Sequence, residues 1–206
     1  MYQQQNKHRL PISKNWSSLK KDIVEQRRKE NLDYFRNLPC VKKSKPKLKI
    51  HQLRIVEYLL EHISLLVIHR TGFGTLSACI TTSQCLLNTR KIDRIIVVSG
   101  SPLSLKENFK KEMTSYGLKG GNYRFYTYTK FAKEYGNTIT NEDLSNTFLI
   151  IDEAHNLTTN GKGTKKILLA AKSAKKILLL TAATPVINFP GDIVNLMKML
   201  DLNAIL

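Results

Sequence analysis

Two adjacent carboxylates, Asp152 and Glu153, follow directly on the apolar run Phe148-Leu149-Ile150-Ile151. Such a run reads as a buried strand, so the acids fall at its carboxyl end. In open α/β sheets that edge is where ligands bind. Asp152 is placed there to hold a Mg²⁺ ion through water. Glu153, one residue on, is placed to orient and deprotonate an attacking water. The plain alternative is a strand-ending turn carrying two solvated acids. The continuation Ala154-His155 favours the chemical reading.

A second segment belongs with the first. Leu65-Leu66-Val67-Ile68 reads as a strand that runs into His69-Arg70-Thr71-Gly72-Phe73-Gly74 and then into a helix opening at Thr75. Gly72 and Gly74 let backbone N–H groups approach phosphate oxygens, and a helix N-terminus adds a favourable dipole. His69 to Thr75 are therefore the candidate phosphate-binding residues. A third segment, Leu178-Leu179-Leu180-Thr181-Ala182-Ala183-Thr184-Pro185, ends another apolar run in small hydroxyl residues. Gly161-Lys162-Gly163-Thr164-Lys165-Lys166 has phosphate-friendly composition, but no strand leads directly into it. It reads as a flexible basic loop.

The elements that must position these segments follow from hydrophobic pattern. Residues 65–68, 95–98, 148–151 and 177–180 are continuously apolar, and Tyr123 to Tyr126 forms a weaker run. Continuous rather than alternating apolarity indicates strands covered on both faces, hence parallel strands with helical crossovers. Helices are expected near 52–62, 75–87, 104–116, 165–173 and 191–200. The fold class is α/β, a doubly wound parallel sheet. Cys79 and Cys85 fall in one of these helices and read as packing residues rather than ligands or disulfide partners. Cys40 stands apart, with no metal-binding spacing.

The 206 residues suit one α/β domain with an extension, and 42% hydrophobic residues suffice for a sizeable core. The net charge is +17, and residues 1–50 carry +10 of it through fourteen Lys/Arg against four Asp/Glu. A basic balance favours a polyanionic partner such as DNA or RNA. The basic extension spans 1–47 and the domain 48–206. A helix starting at Ser17 or Ser18 runs to about Asn37. Lys42 to Lys47 reads either as a solvated linker or as an arm that contacts phosphates. No apolar run approaches a membrane span and no signal-peptide core opens the chain, so the expectation is an intracellular protein without a membrane partner.

In this order and spacing the segments resemble the first RecA-like domain of superfamily 2 DEAH-type helicases, a branch of the P-loop NTPases. The likeness is strongest to the giant-virus and poxvirus-type enzymes of nucleocytoplasmic large DNA viruses, and more distant to Snf2-type translocases. It covers about residues 48–202. Asp152-Glu153-Ala154-His155 matches the DEAH box, and Thr181 to Pro185 matches motif III with one extra alanine. The resemblance implies ATP and Mg²⁺ as cofactors, nucleic acid as partner, and a second RecA-like domain or another subunit acting in trans. For a viral protein it implies the host cytoplasm or the virion. It assigns Glu153, Asp152 and His155 to catalysis and Thr75 with Asp152 to the metal. His51-Gln52 resembles the adenine-reading glutamine segment. Pro102 and Asn108 fall in a segment resembling motif Ia, and Thr127-Tyr128 in one resembling motif Ib. With Thr181 and Thr184 these would contact or couple to nucleic acid.

One departure from the family pattern concerns the phosphate loop. The pattern has a lysine between glycine and threonine, whereas here Thr75 follows Gly74 at once. If Thr75 takes the metal-binding hydroxyl position, the phosphate lysine is missing. If it takes the lysine position, Leu76 replaces the hydroxyl. The first alignment keeps the family's helix in phase. Either one implies impaired hydrolysis, and a non-catalytic nucleic-acid-binding remnant or helicase-associated scaffold is the alternative.

Overall fold

A computed structural model of the chain describes residues 16–68, 74–100, 102–118, 121–136, 144–157, 162–181 and 192–200. Five strands form one sheet: β1 (Ser64–Ile68), β2 (Arg94–Ser99), β3 (Tyr123–Thr127), β4 (Thr147–Ile151) and β5 (Lys176–Thr181). Their spatial order is β1-β5-β4-β2-β3, and every pairing is parallel. The helices are α1 (Trp16–Asn37), α2 (Pro39–Lys42), α3 (Ile50–Glu61), α4 (Thr75–Asn88), α5 (Pro102–Ser115), α6 (Tyr128–Tyr135), α7 (Lys162–Ala171) and α8 (Asp192–Leu200). Among the described residues, no helix is long and apolar enough to cross a membrane.

The reason for the continuous apolar runs is visible in two core clusters, one on each face of the sheet. Ile95 and Val97 of β2 and Phe148 and Ile150 of β4 pack with α3, α4 and α5. Ile96, Val98, Leu149 and Ile151, one residue out of phase, pack with α6, α7 and α8. Side chains alternate along a strand, so a strand sandwiched between helix layers must be apolar at every position. The chain lays β2 and β3 to one side of β1, then brings β4 and β5 back between β1 and β2. Right-handed crossovers place helices made on the outward and return journeys on opposite faces.

Several expectations are corrected. β1 is not fully buried: it lies at a sheet edge, and Ile68 is 45% exposed. Lys162 to Lys166 are not a loop but the first turns of α7. Helix α6 begins directly at the end of β3, with the Thr127 hydroxyl accepting the Lys130 N–H at 3.1 Å as its N-cap.

Cys85 is not merely a packing residue, because it forms a disulfide with Cys40. Helix α2 folds back onto α4, and no local spacing announces a pairing 45 residues apart. Cys79 remains a buried free thiol. Phe35, Cys40 and Val41 all join the core cluster on the α4 side. The Lys42 to Lys47 stretch is docked rather than loose. Its lysines are exposed, but Ser44 is buried, accepts the Tyr116 hydroxyl at 2.5 Å and donates to the Pro46 carbonyl at 2.8 Å. The Ser115 hydroxyl donates to the Lys45 carbonyl at 3.0 Å.

Candidate active site

Strand register fixes what meets at the carboxyl edge. Ser99 pairs with Thr127, Val98 with Ile151, Ile151 with Leu179, and Ile68 with Thr181. Because all five strands are parallel, the residues leaving their ends emerge at one edge and nearly one level. Asp152, Gly100, Tyr128 and the Ile68 end of β1 share it. The acids of β4 and the end of β1 therefore lie at the same edge of the sheet, separated by β5.

Gly74 closes that turn with φ +69°, a left-handed conformation that disfavours other residues. It is the N-cap of α4, so Thr75 occupies the first helical position. Gln52 ties this turn to α3. Its Nε2 donates to the Gly74 carbonyl at 2.8 Å, and its Oε1 accepts the Lys49 N–H at 2.8 Å. A Cβ at Gly74 would stand 2.5 Å from Gln52 Nε2, so the amide would have to move aside, and the positive φ is what favours glycine. The buried amide therefore faces the loop. The amide expected to read adenine is engaged with the backbone at Lys49 and Gly74. His51 lies beside it in the first turn of α3. His69, Arg70, Thr71, Gly72 and Phe73 lie outside the described residues.

Asp152 is half-buried, and burial pushes its carboxyl above the ordinary 3.8, with the Glu153 charge acting in the same direction. The backbone N–H of Glu153 and the His155 ring oppose this rise. Asp152 also acts on α4: burial first, and the Asp152 charge second, push the Cys79 thiol up. Cys79 sits four residues beyond Thr75, on the same helix face. The acid of β4 and Cys79 of α4 are thus electrostatic neighbours.

Among the described residues neither acid forms an ion pair, and no group of three His, Cys, Asp or Glu could cage a metal. One half-buried carboxylate and one hydroxyl suit Mg²⁺, which keeps several waters and takes its other ligands from phosphates. Glu153 is exposed at the edge, with φ +52°. His155, in the short 3-10 turn Ala154–Leu157, has a buried Nδ1 with no partner among the described residues.

The remaining expected residues divide. Thr181 ends β5 and is buried, whereas Thr184 lies outside the described residues. Pro102 opens α5 and Asn108 is exposed on it. The Thr127 and Tyr128 hydroxyls are both engaged within the chain. Two features were not assigned from sequence. Gly100 passes so near the acids that a Cβ there would lie 3.2 Å from Glu153 Oε2, and a glycine at a strand end is the signal for such an approach. An open groove of about 540 Å³ between α6 and α7 is lined by Lys133, Lys162 and Lys166 with no acidic side chain.

A raised Asp152 carboxyl means that the folded chain holds this proton more tightly than the unfolded chain. Stability then falls as pH rises above 3.8, and the ionised side chain is a net cost at neutral pH. Asp152→Asn is accordingly expected to raise the melting temperature at pH 7 in EDTA, with the gain shrinking as pH falls and vanishing well below pH 3.8, where both states are protonated. Thermal melts across that range check it.

The parallel five-stranded sheet and its strand order define a RecA-like α/β fold. In sequence the chain is similar to giant-virus proteins that carry helicase names. It is 33% identical over 152 residues, 74% of its length, to a protein of Acanthamoeba polyphaga mimivirus named ATP-dependent RNA helicase L538. A second mimivirus protein, named ATP-dependent RNA helicase L377, is 48% identical over 59 residues, 28% of this chain. The chain spans 32% of the first relative's length and 5% of the second's. Among solved structures it is similar in fold to the SWI2/SNF2 ATPase core of Sulfolobus solfataricus bound to double-stranded DNA. That match has a TM-score of 0.56 and 19% identity, covering 78% of this chain and 37% of that one. It is also similar to the Hef helicase domain of Pyrococcus furiosus, with a TM-score of 0.53 and 17% identity, covering 74% and 36%. No family model matches the chain.

Proposed function

We propose that this chain is the nucleotide-binding domain of an ATP-dependent nucleic-acid helicase or translocase, impaired in hydrolysis by the missing lysine of its phosphate loop. The observation that supports the reading is that Asp152 and Glu153 leave β4 at the sheet edge where β1 ends, with the Asp152 charge felt at Cys79 of α4. Asp152 and Thr75 would hold Mg²⁺ with ATP, and Glu153 would orient the attacking water. Bound Mg²⁺ would neutralise charge on the phosphates. His69 to Gly74 would cradle those phosphates, while Thr181 and Thr184 would couple the acids to nucleic acid.

Nucleic acid is the partner that a +17 chain with a lysine-lined groove beside the acids suits best. The mimivirus relatives carry RNA helicase names, and the Sulfolobus ATPase core was solved on double-stranded DNA. A second RecA-like domain, supplied in trans or by a longer product, would complete the ATP site. The second reading is a nucleic-acid-binding remnant without catalysis, which the direct Gly74-Thr75 junction favours.

Melts with Mg·ATP, together with oligonucleotide titrations at two salt concentrations, separate the two readings. The first predicts nucleotide protection of the fold, because a ligand of the native state raises stability. It also predicts oligonucleotide affinity that falls steeply with salt and responds to ATP. Salt-sensitive binding indifferent to ATP, with no nucleotide protection, would leave the remnant standing.

A further inference from the structure

Glu153 holds a left-handed backbone, φ +52°, in a side-chain-bearing residue. A non-glycine residue at such an angle needs neighbours that hold it there. Tyr128 is the neighbour in place. Its hydroxyl hydrogen-bonds the carbonyl of Asp152 and donates to the carbonyl of Glu153 at 2.9 Å. A phenol carries one proton, so the two carbonyls on either side of the turn share it. Asn156 N–H donates to the same Glu153 carbonyl at 2.9 Å.

Tyr128 is itself firmly set. It is the first residue of α6, directly after the Thr127 cap, and the pairing of Thr127 with Ser99 brings it level with Gly100. A Cβ at Gly100 would lie 3.7 Å from Tyr128 Cε2 and 3.2 Å from Glu153 Oε2. Three segments, after β2, β3 and β4, therefore meet around the Glu153 carboxylate.

We infer that Tyr128 is a positioning residue for Glu153: its shared hydrogen bond holds the Asp152-Glu153 turn in its left-handed form and so aims the Glu153 carboxylate along Gly100. The inference rests on the proposed ATPase reading for its catalytic consequence, but not for the contact itself.

The test has two arms on the full chain. The first is a melting cycle of Tyr128→Phe, Glu153→Gly and the pair. Tyr128→Phe should lower the melting temperature by ~2–6 °C. Combined with Glu153→Gly, which relaxes the turn, it should cost less than half of that. Additive shifts would overturn the inference, whether or not the chain hydrolyses ATP. The second arm measures ATPase in a background with lysine inserted between Gly74 and Thr75. There Tyr128→Phe should lower kcat about tenfold with KM for ATP within twofold. An unchanged kcat, or a loss carried by KM, would also overturn the inference. If the inserted chain shows no ATPase above its Glu153→Gln control, the functional reading fails and takes the catalytic half with it, while the melting cycle still decides the clamp.

Discussion

Inserting one lysine between Gly74 and Thr75 is expected to raise ATP hydrolysis by about a hundredfold or more, the scale set by single charge-stabilising groups at phosphoryl and acyl transfer sites. The direct Gly74-Thr75 junction removes a point charge from where the β- and γ-phosphates would lie, and it shortens the loop by one residue. The rest of the frame is in place. Gly74 keeps its left-handed turn, Thr75 opens α4, and Asp152 acts on that helix through space. In sequence Arg70 precedes Gly74 by four residues. Steady-state ATPase at saturating Mg·ATP measures the effect. Equal rates in the inserted and natural chains would show that the loop has been misread.

Cys40→Ser is expected to lower stability by about 4 kcal/mol, the chain-entropy estimate for a loop closed over 45 residues. In a chain of this size that corresponds to a fall of roughly 8–16 °C in melting temperature. The bridge fastens α2 to the middle of the domain, where Cys85 is 2% exposed. With Phe35, Val41 and Ser44 it holds the end of the basic extension against α4 and the Tyr116 hydroxyl. Denaturation of the substituted chain, and of the natural chain in strong reductant, should agree. A loss below about 1 kcal/mol in both would mean that packing alone seats the extension.

Much of this fold is legible in sequence, for a specific reason. β2, β4 and β5 sit inside a two-faced sandwich, so burial writes itself as unbroken apolar runs. β1 carries the same kind of run yet is half-exposed, because edge position depends on strand order and not on local pattern. The start of α7 reads as a loop because Gly163 and its lysines face solvent. Helix α6 hides because its apolar positions are aromatic residues following a strand with no intervening turn.

The candidate site divides in the same way. Asp152 and Glu153 are readable, because adjacency after a buried strand is a local signal. The Gln52–Gly74 and Tyr128–Glu153 contacts are not, because residues 22 and 25 positions apart meet only through α3–α4 packing and through the register of β3 on β2 on β4. The Cys40–Cys85 bridge is of this second kind.

The central claim is that the glycine turn before α4 and the acids after β4 serve a single nucleotide. The ATPase rate of the lysine-inserted chain, with and without Glu153→Gln, tests this most directly. The rate gained at the loop should disappear when the Glu153 carboxylate is neutralised, with nucleotide affinity kept. A gain that survives Glu153→Gln would place the two segments in separate roles and contradict it.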